Sequence, residues 1–150
     1  MHGHVTPLAT LTHDNDAFRK VLFTTARTQL VLMALLPDED IGSEVHDTHD
    51  QFFRIESGSG RVKIGRASLK VGPGDGIVVP AGVRHNLTNT GKTTLRLYTL
   101  YAPPQHADQL EQATKAIADA QHRAESSAET AEAARKDMID EGSPVATVPT

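Results

Sequence analysis

From Phe18 to Ala102 the apolar residues come only in short runs, each bounded by Gly, Pro, Asp or Asn. That punctuation commits the segment to short strands joined by turns. The runs predict strands at residues 19–24, 29–36, 42–46, 51–56, 61–64, 67–71, 76–79, 84–89 and 94–101, a density that points to a sandwich or barrel. The turns have a mechanism. Ser57-Gly58-Ser59-Gly60 and Gly72-Pro73-Gly74-Asp75 supply the positive and fixed φ values that tight reversals need.

After Pro103-Pro104 the composition shifts to Ala, Glu, Gln, Asp and Lys, all but Asp strong helix formers. Residues 107–140 are predicted helical, with apolar positions at Leu110, Ala113, Ile117, Ala120, Ala124, Ala128, Ala131 and Met138. The stripe is mostly alanine and buries little area. The expected organisation is an N-terminal arm at residues 1–17, an all-β barrel at 18–104, an Ala-rich helical extension at 105–140 and a loose tail at 141–150.

The chain has no cysteine. Disulfides, thiolate nucleophiles and sulfur-ligated zinc are thereby excluded, and any metal must be held by His, carboxylate or amide. The formal net charge is -4, without a block of Lys or Arg, which argues against nucleic acid or an anionic membrane as partner. No charged-then-apolar leader pattern occupies the first residues, and no run approaches the roughly eighteen apolar residues of a membrane span. The expectation is a cytoplasmic protein that handles a small molecule.

Chemistry concentrates in Gly42-Ser-Glu-Val-His-Asp-Thr-His-Asp-Gln51. Residues two apart on a strand share a face, so Glu44 and His46 are expected to project together, roughly 7 Å apart. The segment 47–50 reads as a turn. On the returning strand Gln51, Phe53 and Ile55 share one face, and Gln51 joins the inward pair. Further on, a strand, the turn Pro80-Ala-Gly82 and a new strand bring in His85 as a fourth candidate ligand.

These residues resemble the cupin family, small jelly-roll β-barrels in which two short motifs build a metal site. The second motif, G-x5-P-x-G-x2-H-x3-N, is matched throughout by Gly74, Pro80, Gly82, His85 and Asn89. The first, G-x5-H-x-H-x3-4-E-x6-G, is matched in part. Asp38 stands for the first Gly, Glu44 for the first His, His46 for the second, Gln51 for the Glu, and Gly58 closes it. Asp tolerates the turn conformation that Gly would take, so position 38 is expected to leave the fold intact. The carboxylate has moved to Glu44 while an amide fills its old place, so the ligand charge is unchanged. The resemblance implies a cupin barrel with one divalent ion on Glu44, His46, Gln51 and His85. Fe, Mn, Ni and Zn all suit such donors. Its alternative is a barrel that has lost the metal, with Glu44 and Gln51 solvated.

His49 falls in the polar turn and is read as solvated or hydrogen-bonded. His2 and His4 belong to the terminus, and His13, His106 and His122 read as surface residues. Gln29, Met33 and Phe53 are candidates to line a substrate pocket, Tyr98 is the candidate proton donor, and Arg54 with Glu56 reads as an ion pair rather than a catalytic one. The function expected is metal Lewis-acid chemistry, of isomerase or lyase type, on a sugar-like or keto-acid substrate. A dioxygenase and a non-catalytic binding or sensor protein are the alternatives. A homodimer is expected, because an edge strand of an open barrel is usually covered.

Overall fold

The computed structural model describes residues 2–141. A short helix, α1 (Leu8–Asp14), precedes β1 (Arg19–Thr24), β2 (Gln29–Leu35), β3 (Asp50–Ser57), β4 (Gly60–Ile64), β5 (Ala67–Val71), β6 (Gly76–Val79), β7 (His85–Asn89), β8 (Leu95–Ala102) and β9 (Glu111–Gln112). The chain then runs into α2 (Lys115–Glu141).

The strands form two antiparallel sheets. One has six strands in the order β6-β3-β8-β2-β1-β9, the other three in the order β5-β4-β7. Alternation along each strand decides what lies between them. Val31, Met33 and Leu35 of β2 stand opposite Thr99, Leu97 and Leu95 of β8. Phe53 and Ile55 of β3 point the same way, and all eight side chains are at most 1% exposed. Val62 and Leu87 close this core from the three-stranded sheet. The architecture is the expected all-β jelly roll with a C-terminal helix.

Several elements differ from the sequence reading. The strand expected at residues 42–46 does not form. Asp40 and Glu44 each make only an isolated bridge, to Thr88 and His85, because Gly42 between them, at φ +90°, breaks the extended backbone that a continuous strand needs. The helix begins at Lys115 rather than near residue 105. Residues ahead of it include β9, whose Gln112 and Glu111 pair with Arg19 and Lys20. The arm before β1 contains α1, held partly by Thr12, whose buried hydroxyl donates to the Leu8 carbonyl at 2.7 Å. Of the expected tail, residues 142–150 lie outside the described residues. The extension from Ala116 onward is a compact unit of its own, with Met138 and Ile139 largely exposed.

Two turns show why particular residues are needed. Asp38, which stands where a glycine is more usual, adopts φ +70°, a left-handed conformation that Asp tolerates better than most residues. Gly58 has φ +88°, and a Cβ there would lie 2.8 Å from the Thr94 carbonyl oxygen. That position has room only for hydrogen.

Candidate metal centre

The end of the sandwich nearest the Pro80 turn is tied together by main-chain bonds. The Gly82 N–H donates to the His46 carbonyl at 2.9 Å, and the Ala81 N–H donates to the Asp50 carboxylate at 2.9 Å. The turn thus joins the loop carrying His46 to the start of β7, where His85 sits. Asn89, at the far end of β7, anchors that strand. Its amide donates to the carbonyls of Leu35 and Thr93 at 2.9 Å each and accepts from the Gly91 N–H at 2.9 Å.

One ligand atom from each of Glu44, His46 and His85 lies within 4.8 Å of the others. His46 Nε2 is 3.0 Å from Glu44 Oε2, and His85 Nε2 is 3.0 Å from Gln51 Oε1. Gln51 and His85 are buried, 1% and 2% exposed, whereas the side chains of Glu44 and His46 retain 29% and 11% exposure. The site therefore has a buried floor, Gln51 with His85, and a side open to solvent at Glu44. It also spans the two layers, since Gln51 belongs to the six-stranded sheet and His85 to the three-stranded one.

The donor chemistry fits a cation. His85 Nδ1 faces the Val83 carbonyl at 3.0 Å, so in the neutral ring Nδ1 carries the proton and Nε2 presents a lone pair. The Gln51 NH2 group donates to Thr99 Oγ1 at 3.0 Å, which turns the amide oxygen toward that same Nε2. Two acceptors aimed at one another across 3.0 Å are reconciled by a shared positive ion. Burial raises the Glu44 carboxyl pKa, but the His46 hydrogen bond and the charges of His46, Arg19 and His85 outweigh it. The net shift is downward, and Glu44 is held as a carboxylate, the form a metal requires.

The structure brings Glu44, His46, Gln51 and His85 together as the sequence reading placed them. It keeps His49 apart: His49 Nε2 is hydrogen-bonded to the Pro104 carbonyl at 3.0 Å and Nδ1 to Thr48 Oγ1 at 3.0 Å. Tyr98 is a correction. On β8 it alternates with the inward Leu97 and Thr99 and lies opposite Leu32 and Arg54 on the outer face, so it cannot serve as proton donor at this site. Gln29 is a second correction, because its amide is used up. It donates to Thr24 Oγ1 and the His106 carbonyl and accepts from the N–H groups of Gln105 and His106, clamping the chain beyond β8. Met33 is 1% exposed and part of the solid core. Phe53, equally buried, packs its ring against that of His85 at 6.1 Å and supports a ligand without lining an opening. Arg54 and Glu56 do pair, at 3.7 Å along β3.

Two residues were missed. Tyr101 shares the inward face with Leu97 and Thr99, stands edge-on to the His46 ring at 5.8 Å, and approaches His106 Nε2 at 3.3 Å. Burial raises its phenol pKa far above the ordinary value, against the opposing pull of Arg19, so the hydroxyl stays protonated. Parity with Leu95 and Leu97, with Arg96 between them, marks it as inward. Arg19 is the other, 7% exposed on β1. In Phe-Arg-Lys-Val-Leu-Phe it reads as one of two surface charges, and nothing local says which of them turns in.

A family profile described as a cupin domain matches residues 31–101. The chain is 48% identical over 101 residues to YrkC of Bacillus subtilis, covering 63% of this chain and 54% of that protein. It is 41% identical over 96 residues to L612 of Acanthamoeba polyphaga mimivirus, covering 61% and 60%. The chain thus spans little more than half the length of these relatives. Among solved structures, BH2720 from Bacillus halodurans is similar, with 41% identity, a TM-score of 0.78, and coverage of 79% of this chain and 95% of that one. Among the described residues no helix is long and apolar enough to cross a membrane.

Proposed function

The chain belongs to the cupin family, and from that premise we propose that it is a divalent-metal-dependent enzyme, of isomerase or lyase type, acting on a small polar sugar-like or keto-acid substrate. The observation that carries this reading is the convergence of Glu44, His46 and His85 within 4.8 Å, with Gln51 at 3.0 Å from His85. A bound divalent ion supplies Lewis-acid polarisation of a carbonyl or hydroxyl oxygen. The protein supplies the rest. Glu44 contributes the one negative charge of the donor set. Thr99 fixes the Gln51 amide and Val83 fixes the His85 tautomer, so two donors are aligned before any ligand arrives. The Tyr101 ring, edge-on to His46 at 5.8 Å, backs that ligand from the core side.

The cytoplasm is the proposed compartment; a chain without cysteine leaves the redox environment open and has no disulfide that demands an oxidising one. A homodimer is also proposed. An apolar row crosses the outer face of the large sheet, with Val78 opposite Phe52, Phe52 opposite Leu100, Leu100 opposite Leu30 and Leu30 opposite Phe23. Val78 is 66% and Leu100 36% exposed. A second copy laid on this row would remove it from water, and a strictly monomeric mass on sizing chromatography would refute that arrangement.

The enzyme reading is tested by elemental analysis of protein expressed in metal-supplemented medium, beside Glu44→Ala, Gln51→Ala and His49→Ala variants. The expected result is stoichiometric metal in the parent, large loss for the first variant, partial loss for the second and none for the third. Parent protein that contains no metal and gains none on titration sinks the reading.

A further inference from the structure

Residues 57–74 carry four cations, Arg61, Lys63, Arg66 and Lys70, and no carboxylate, in a chain whose formal net charge is -4. Folding concentrates three of them on one face of the small sheet. Arg61 of β4 stands directly opposite Lys70 of β5, and Lys63, two residues on, shares the face of Arg61. Like charges set directly across a strand pair repel each other. No carboxylate relieves them, since none of the four cations is ion-paired among the described residues. The acids that border the segment are engaged elsewhere. Glu56 pairs with Arg54 at 3.7 Å, and Asp75 accepts from the Gly72 N–H at 2.7 Å. Asp40, which bridges Thr88 in the row of Arg61, pairs with Lys115 at 3.5 Å.

Beside the opposed cations lies a cavity of about 540 Å³, a volume typical of small-molecule sites. It is lined by Ser59, Gly60, Arg61, Lys70, Val71 and Thr90, which bring two cations and two hydroxyls and no carboxylate. The guanidinium is steered by a neighbour: Arg61 Nη1 donates to Ser68 Oγ at 3.1 Å, so one arm of the fork is fixed and the remaining N–H groups are left to a ligand. Lys70 is exposed and adds a point charge on a flexible stem. The cavity is remote from the metal centre. Along the β4–β7 ladder Gly60 pairs with Asn89 and Ile64 with His85, which puts the cavity and His85 at opposite ends, roughly 13 Å apart for four strand residues.

We propose that the cavity bounded by Ser59, Arg61, Lys70 and Thr90 is a second ligand site, which takes the phosphate group of a small phosphorylated molecule. An anion placed there relieves the repulsion between the opposed cations and accepts charge-assisted hydrogen bonds from both, with two hydroxyls on the cavity wall as further donors. A phosphate ester carries about -1.5 to -2 charges and three acceptor oxygens, and so matches a pair of cations better than a single carboxylate does. The site needs no bound metal.

The test titrates isotope-labelled full-length protein, stripped of metal by a chelator, with pyrophosphate at physiological ionic strength and follows the amide NMR signals. Saturable shifts at Ser59, Arg61, Lys70 and Thr90 are expected, while the signals of Glu44, His46 and His85 stay in place. Arg61→Gln and Lys70→Gln are each expected to weaken binding about tenfold. Arg27→Gln, which removes the same charge from an exposed loop, leaves the affinity at the parent value. Shifts that rise linearly without saturating overturn the site, and so does an affinity that falls equally in Arg27→Gln and Arg61→Gln, because both describe diffuse attraction to surface charge. Binding of single-stranded RNA or of vesicles containing phosphatidylserine, without saturable binding of pyrophosphate, overturns it in favour of a polyanion surface.

Discussion

The main chains of Glu44 and His85 exchange both of their hydrogen bonds, each at 2.9 Å. They form a hydrogen-bonded antiparallel pair, although neither neighbour of Glu44 extends it into a strand. Two ligands far apart in the chain are thus set side by side by backbone alone. Replacing the Glu44 side chain leaves this pairing in place. Glu44→Gln is expected to hold the urea midpoint of chelator-treated protein within about 1 kcal/mol of the parent, while metal affinity measured by competition with a chelating dye falls steeply.

Thr99→Val keeps the shape of a fully buried side chain but removes the acceptor of the Gln51 amide. The amide oxygen is then no longer held toward His85. Metal affinity is expected to fall about 10–100-fold, read by the same competition, with a loss of about 1–3 kcal/mol in urea denaturation from the orphaned N–H.

The two tyrosines of β8 should separate cleanly. Tyr98→Phe, on the outer face, is expected to change stability by no more than about 0.5 kcal/mol. Tyr101→Phe removes a buried hydroxyl near His106 and is expected to cost about 1 kcal/mol. Urea denaturation of the two variants side by side measures the difference.

Asn89 closes its motif without touching the site. Asn89→Ala leaves the buried Leu35 carbonyl and the Thr93 carbonyl without their donor, and a loss of about 2–4 kcal/mol is expected. Thermal or urea unfolding measures it. Metal content per folded molecule should remain that of the parent.

Gly58 and Gly42 have nearly the same φ, +88° and +90°, but different surroundings. A Cβ at Gly42 meets nothing within 4 Å, while one at Gly58 meets the Thr94 carbonyl oxygen and Leu95 Cα at 2.8 and 2.9 Å. Gly42→Ala is expected to cost about 1 kcal/mol from the left-handed backbone alone. Gly58→Ala should cost clearly more, and equal urea midpoints for the two would refute the clash.

Much of this was legible because period-two alternation and glycine turns are local signals. Strands β1, β5 and β6 begin and end where the runs of apolar residues do. Glu44, His46, Gln51 and His85 were found by strand parity joined to a motif resemblance, even though residues 42–46 are not a strand. What was not legible depends on the opposite sheet or on distant chain. Nothing near Arg19 announces that Gln112 will sit across from it. Gln29 looked like pocket lining because its partners, at residues 105 and 106, follow a Pro-Pro break. Tyr98 and Tyr101 are told apart by the parity that Leu95 and Leu97 set along β8, which turns Tyr101 inward and Tyr98 outward.

Because Gln51 and His85 stand on different sheets, the two layers act as the two jaws of one grip. An ion held between them leaves at a rate set by how often the sandwich opens at that end, and not only by the strength of the individual bonds. Residence time thereby becomes a clock for the breathing of the barrel. Mutations deep in the core, such as at Leu97 or Phe53, would then alter how long the ion stays while touching none of its ligand atoms.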